Sequence, residues 1–147
     1  MRSTLSILAA AGLTAALSLT CDPAAAAIYQ GNAAANTFVG TTGADRAAMG
    51  AGSDTARGGA GVDTLIGGTG GDLLYGGSGN DSITPGSGAD KVYLGAGNDE
   101  VILRADGSID EIWCGLGYDS VVWLNSDPDP LDIFHGCEET LSVIISA

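Results

Sequence analysis

Asp45, Asp54, Asp63, Asp72, Asp81, Asp90 and Asp99 stand one every nine residues, and Asp110 and Asp119 follow after a step of eleven. Two residues beyond each lies an apolar side chain: Ala47, Ala56, Leu65, Leu74, Ile83, Val92, Val101, Ile112 and Val121. A fixed nine-residue period is the mark of a repeat architecture. Carboxylates recurring at one phase of such a repeat supply charged oxygen ligands for a cation. They are poorly suited to nucleophilic or acid–base work here, because His135 is the lone histidine and neither G-x-S-x-G nor H-E-x-x-H occurs. The expectation is a protein that is not an enzyme.

The best copies run from Gly58 to Ile66, Gly67 to Tyr75 and Gly76 to Thr84, each reading G-G-x-G-x-D-x-U-x, where U is apolar. Flanking copies are looser. Met49, Pro85 and Leu94 replace the first glycine, and Asn36 stands where an earlier aspartate belongs. Glycines tolerate positive φ and close backbone approach, so the turn can aim carbonyl oxygens inward. The candidate carbonyl ligands are Gly59, Gly61, Gly68, Gly70, Gly77, Gly79, Gly86 and Gly88, beside the nine aspartates. An all-oxygen set suits calcium, which takes about 6 to 8 such ligands in an adaptable shell. Magnesium demands stricter geometry, and histidines and cysteines are too few for zinc.

Over residues 31–122 the chain resembles the RTX (repeats-in-toxin, haemolysin-type) calcium-binding family, on the strength of those three intact copies. The resemblance implies an all-β fold, a right-handed parallel β-roll (β-solenoid). The first six residues of each unit would form a turn and the last three a short strand, with two units to a coil. Family members commonly leave the cell through a one-step exporter that reads a C-terminal signal.

Such a roll would place aspartates eighteen residues apart on the same side. One column holds Asp45, Asp63, Asp81 and Asp99, the other Asp54, Asp72 and Asp90, giving five inter-coil calcium sites. Asp110 and Asp119 would extend the columns, with the Asp90–Asp110 step placed in doubt by the inserted residues around 105–109. In the strands, position eight points inward and positions seven and nine outward. Ala47 and Ala56 then predict a thin, looser first coil. Stacked carboxylates at about 5 Å repel by about 3 kcal/mol per pair at an effective dielectric near 20. Each inward aliphatic contributes about 1.5 to 3 kcal/mol, while ordering a residue's backbone costs roughly 1 to 2 kcal/mol. The expectation is an apo chain that is largely disordered and folds when calcium bridges the turns.

Around the repeats the chain divides into three. Residues 1–27 read as a secretory leader: Arg2, an apolar stretch from Leu5 to Leu19, then Pro23 to Ala27 as a small-residue cleavage site. The apolar run is short for a membrane span, and no span is expected after cleavage. Cys21 would be the acylated residue of a lipoprotein, although Leu17-Ser18-Leu19-Thr20 fits a lipobox poorly. A cleaved leader departs from the one-step export pattern and favours the general secretory route. Residues 28–122 form the roll, and residues 123–147 are expected to close it as a cap. Removal of the leader leaves Cys114 and Cys137, an even pair in an oxidising compartment and so a predicted disulfide. Asp127, Asp129 and Asp132 read as an acidic Asp-Pro loop and not as ligands.

Five Lys and Arg against eighteen Asp and Glu give a formal net charge of −13, which argues against nucleic acid and anionic membrane surfaces and for cations. Outward position nine carries Arg57, Tyr75, Tyr93 and Trp113 on one side, and Ile66, Thr84, Ile102 and Val122 on the other. The aromatic row either stacks for stability or offers a surface to a cell-wall polymer, a carbohydrate or a protein. Two classes of function remain. One is a secreted, extracellular calcium-binding module, and the other an envelope-associated adhesion or structural protein that calcium stabilises.

Overall fold

A computed structural model describes residues 5–8, 25–124 and 128–143, with side chains over 25–124 and 128–138. Each repeat becomes one strand. In chain order these are β1 (Leu5–Leu8), β2 (Ala27–Asn32), β3 (Thr37–Val39), β4 (Arg46–Ala51), β5 (Thr55–Ala60), β6 (Thr64–Thr69) and β7 (Leu73–Ser78). There follow β8 (Ser82–Ser87), β9 (Lys91–Ala96), β10 (Glu100–Leu103), β11 (Glu111–Leu116), β12 (Ser120–Leu124), β13 (Ile133–His135) and β14 (Glu139–Val143).

Even-numbered strands, joined by β1 at one edge, make a sheet ordered β1-β2-β4-β6-β8-β10-β12-β14. The odd strands make a second, ordered β13-β11-β9-β7-β5-β3. All pairings are parallel. The chain alternates between the sheets, so two units complete a coil and the whole is a β-solenoid of about six turns. The eighteen-residue register is visible directly: Leu65 pairs with Ile83 and Gly68 with Gly86, while Leu74 pairs with Val92 and Gly77 with Gly95.

The strands are longer than the three residues expected. In β6 the alternation of buried and half-buried residues runs from Thr64 through both glycines, and Thr69 is exposed. The parallel ladder continues because Gly77 and its neighbours extend the chain without side chains that would collide. At Gly79 the backbone has φ 121°, and the Gly61 carbonyl oxygen occupies the place a β-carbon would take. Only glycine fits there.

The core is a single file of apolar side chains between the sheets. Leu65, Leu74, Ile83, Val92, Val101, Ile112 and Val121, with Ala47 and Ala56, are all fully buried, as position eight requires. A second inward row lies two residues further on, at the place of the first glycine. Met49, Leu94, Cys114 and Trp123 are fully buried there, and Leu103 nearly so. Alternation along a six-residue strand makes this unavoidable. Met49 and the buried Phe38 join the cluster beside Ala47 and Ala56, so larger side chains fill the coil predicted to be thin.

Where a cap is expected to close the last coil, the described residues continue the two sheets. After residues 125–127, which lie outside the described set, β13 pairs with β11 and β14 pairs with β12, so each sheet gains one more parallel strand. A disulfide joins Cys114 to Cys137, with α-carbons 5.2 Å apart. The expectation for Asp127 and most of the leader lies outside the described residues. Of the latter, Leu5–Leu8 runs parallel to β2. No helix among the described residues is long and apolar enough to cross a membrane.

Candidate metal centre

Each aspartate stands at a turn-to-strand step, immediately before its strand begins, where its backbone N–H faces the coil that follows. Every repeat then makes the same bond. The Asp45 N–H donates to Asp63 Oδ1 at 2.7 Å, Asp63 to Asp81 at 2.8 Å and Asp81 to Asp99 at 2.8 Å. In the second column Asp54 donates to Asp72 at 2.8 Å and Asp72 to Asp90 at 2.7 Å. The two columns are the ones the spacing predicts.

Both columns survive the insertion. Asp90 N–H reaches Asp110 Oδ1 and Asp99 N–H reaches Asp119 Oδ1, each at 2.9 Å across twenty residues. The extra residues are extruded at 104–109, mostly exposed, where Asp106 accepts the Gly88 N–H at 2.7 Å. The Asp90–Asp110 step thus keeps the ladder hydrogen bond across the insertion. The ladders also run beyond the repeats at both ends. Asn36 N–H donates to Asp54 Oδ1 at 2.6 Å. At the far end Asp110 N–H donates to Asp132 Oδ1 and Asp119 N–H to Glu138 Oε2, both at 2.9 Å. Asp132, read from sequence as part of an acidic loop, occupies a ladder position, and Glu138 was missed.

In seven of these aspartates one oxygen is thus satisfied and the other is not, whereas Asp45 Oδ2 accepts from the Thr41 N–H. The Oδ2 atoms of Asp54, Asp63, Asp72, Asp81, Asp90, Asp99 and Asp119 are buried without a hydrogen-bond partner. The first-glycine positions reveal where these oxygens point. A β-carbon at Gly76 would meet Asp81 Oδ2 and the Leu94 carbonyl oxygen together. One at Gly67 would meet Asp72 Oδ2 and the Pro85 carbonyl, and one at Gly58 would meet Asp63 Oδ2 and the Gly76 carbonyl. In the three intact repeats the orphaned oxygens of Asp63, Asp72 and Asp81 therefore each lie beside a carbonyl oxygen of the following coil.

The turn glycines add further oxygens, aimed along the column and not into their own turn. The carbonyls of Gly59, Gly61, Gly68 and Gly70 face the α-carbons of Gly77, Gly79, Gly86 and Gly88 one coil on, and those of Gly77 and Gly79 face Gly95 and Gly97. Above Gly88 the chain carries Asp106 instead.

Burial shapes the charge of this array. It pushes Asp63 and Asp72 up to about 6, against the lowering effect of the N–H each accepts, and the neighbouring carboxylate raises them further. Asp81, Asp90 and Asp110 rise to about 7 for the same reasons in the same order. Asp99, Asp119 and Asp132 are also raised, chiefly by burial. Asp106 differs: the N–H groups of Gly88 and Ser108 outweigh its slight burial and hold it below the usual range.

Buried, like-charged oxygens that lack donors are costly in isolation and are satisfied by a cation. Among the described residues no three acidic, histidine or cysteine side chains converge on one point. A cation held here must therefore take much of its shell from backbone carbonyls, as a hard, oxygen-seeking ion does. The donors present fit calcium, with the ladder aspartates and next-coil carbonyls as the holding groups.

The aromatic row forms a continuous stack. Tyr75 and Tyr93 have centroids 4.9 Å apart, Tyr93 and Trp113 4.5 Å, and Trp113 and His135 4.9 Å, all within 12° of coplanar. Arg57 covers the Tyr75 end, its guanidinium carbon 4.7 Å from the ring centroid. His135 is an unpredicted member, placed by the pairing of β13 with β11.

Comparison with known proteins bears on the same residues. No curated protein matches the chain. A family model described as RTX calcium-binding nonapeptide repeat matches four times, over residues 30–65, 39–74, 49–83 and 66–101. Through these repeats the chain belongs to the RTX calcium-binding nonapeptide repeat family.

Proposed function

We propose that this is a secreted, non-enzymatic calcium-binding protein whose solenoid forms when calcium bridges successive coils. The observation that carries the reading is the set of seven buried aspartate Oδ2 atoms without partners, stacked in two columns of like charge. A thin core must offset that repulsion together with the conformational entropy of a glycine-rich chain. Calcium supplies the missing charge at those oxygens when bound. The residues do the rest: each Oδ1 locks the preceding coil through its N–H, each Oδ2 faces the following coil, and the turn glycines let carbonyls approach.

Five inter-coil intervals lie between ladder aspartates from Asp45 to Asp99, and each is a proposed site. In this reading the Tyr75–Tyr93–Trp113 stack serves stability, because its rings are satisfied by one another and by Arg57. Export follows from the leader-like residues 1–27, and the oxidising compartment suits the disulfide.

Far-ultraviolet circular dichroism of the full chain during a calcium titration, with magnesium as control, tests the proposal. A cooperative gain of β-structure with calcium alone is expected, near the 0.1 to 1 mM typical of extracellular calcium modules. A β-rich spectrum in excess chelator that calcium leaves unchanged would overturn it.

A further inference from the structure

We infer that Glu138, beyond the repeats, completes an additional cation-binding interval with Asp119, and that the Cys114–Cys137 disulfide positions it. The inference rests on the calcium-binding reading and extends it to a segment that carries no nonapeptide and lies outside residues 30–101.

Four features of the repeat intervals recur here. Asp119 N–H donates to Glu138 Oε2 at 2.9 Å, the bond that each ladder aspartate makes to the carboxylate of the next coil. Asp119 Oδ2 is fully buried and without a partner, like the oxygens of Asp63 and Asp81. In the repeats that oxygen shares a point with a carbonyl of the following coil, opposite the first-glycine position. Cys114 holds that position for Asp119, and Gly136 falls opposite it, one residue past the paired Trp113 and His135. Finally, Gly136-Cys137-Glu138 reproduces the turn's glycine-x-carboxylate order, with Gly136 at positive φ of 71° as Gly117 is at 131°.

The disulfide explains how a segment without the repeat keeps this register. Glu138 follows Cys137 directly, and Cys137 is bonded to the buried Cys114 of β11. The bond fixes the turn where repeat spacing no longer does. The interval is also more open than its counterparts: nothing lies within 4 Å of a β-carbon at Gly136, whereas Gly117 packs on the Gly97 carbonyl. Glu138 is itself exposed. The added site is therefore the weakest of its column and the last to fill.

Equilibrium dialysis and titration calorimetry with calcium, on the full chain with its disulfide intact, provide the test. Glu138→Gln keeps an oxygen to accept the Asp119 N–H and removes only the charge. It should bind one fewer calcium ion per chain, with loss of the weakest class and unchanged β-structure at saturating calcium. The Cys114→Ser/Cys137→Ser double variant should lose the same ion. Equal stoichiometry and affinity in the wild type and Glu138→Gln would overturn the site, while retention of the weak ion by the double serine variant would overturn the positioning role of the disulfide. Should the wild type bind no calcium at all, it is the broader calcium-binding reading that fails.

Discussion

At the scale of single residues, the ladder aspartate does two opposed things with its two oxygens. Oδ1 stabilises the stack by accepting an N–H, while Oδ2 is a buried acceptor with a carbonyl for a neighbour. Asparagine separates the two. In Asp81→Asn the Oδ1 bond from Asp63 is kept, and the amide now presents N–H groups towards the Leu94 carbonyl that Asp81 Oδ2 faces. Without calcium the variant should be more stable than the wild type by the net value of a buried hydrogen bond, about 0.5 to 1.5 kcal/mol. With calcium the order should reverse, since a charged ligand is lost and affinity should fall about tenfold at the Asp81 intervals. Residual β-structure in chelator, read by circular dichroism, and thermal melts in saturating calcium would measure the two effects, and a variant with less β-structure in chelator as well as a lower melting temperature in calcium would contradict this account of Oδ2. The aspartates themselves were legible in the sequence because a nine-residue period survives looser copies. Glu138 was not, because it changes residue type and follows Asp119 by nineteen residues, breaking both the identity and the spacing that made the column visible.

At the scale of the element, position eight could be read as the core row because its side chains are apolar in every copy. The second inward row could not, since glycine fills that place in the intact repeats and leaves no side chain to betray the alternation. Met49, Leu94, Leu103, Cys114 and Trp123 disclose it, and they look like lapses in the motif until the strand is seen to continue through the glycines. The C-terminal segment hid its strands for a related reason. Ile133–His135 and Glu139–Val143 owe their pairing to a free edge and a disulfide, and neither leaves a local pattern. Turn glycines differ in what they must do, which yields a paired test. Gly79 has φ 121° and its β position is occupied by the Gly61 carbonyl, whereas Gly107 has φ 81° with nothing within 4 Å. Gly107→Ala should cost about 1 to 2 kcal/mol, the penalty of positive φ alone. Gly79→Ala must in addition push two coils apart, and in saturating calcium it should lower the melting temperature well beyond the Gly107 variant. Equal shifts would mean that the coils are not stacked through their glycines.

At the scale of the whole molecule, two columns of carboxylates in a chain of net charge −13 make folding a contest between protons and calcium for the same oxygens. The ordinary carboxyl value is near 3.8, and burial raises Asp63 and Asp72 to about 6 and Asp81, Asp90 and Asp110 to about 7. A carboxyl whose value is higher when folded binds its proton more tightly in the folded state. The stabilisation is therefore fully present below the unfolded value near 4 and is lost as pH rises through 6 to 7. A protonated Oδ2 can donate to the carbonyl it faces, Gly76 for Asp63 or Leu94 for Asp81, so the proton satisfies the atom that calcium would otherwise satisfy. In excess chelator, β-structure should accordingly grow as pH is lowered from 8 to 4. The calcium concentration at the folding midpoint should fall over the same range, because protonated carboxyls already stabilise the folded state and less calcium is needed to complete folding. Circular dichroism at a series of pH values, with and without calcium, measures both trends. A chelated chain that stays unfolded down to pH 4, with a calcium midpoint indifferent to pH, would show that the columns are not the element on which folding turns.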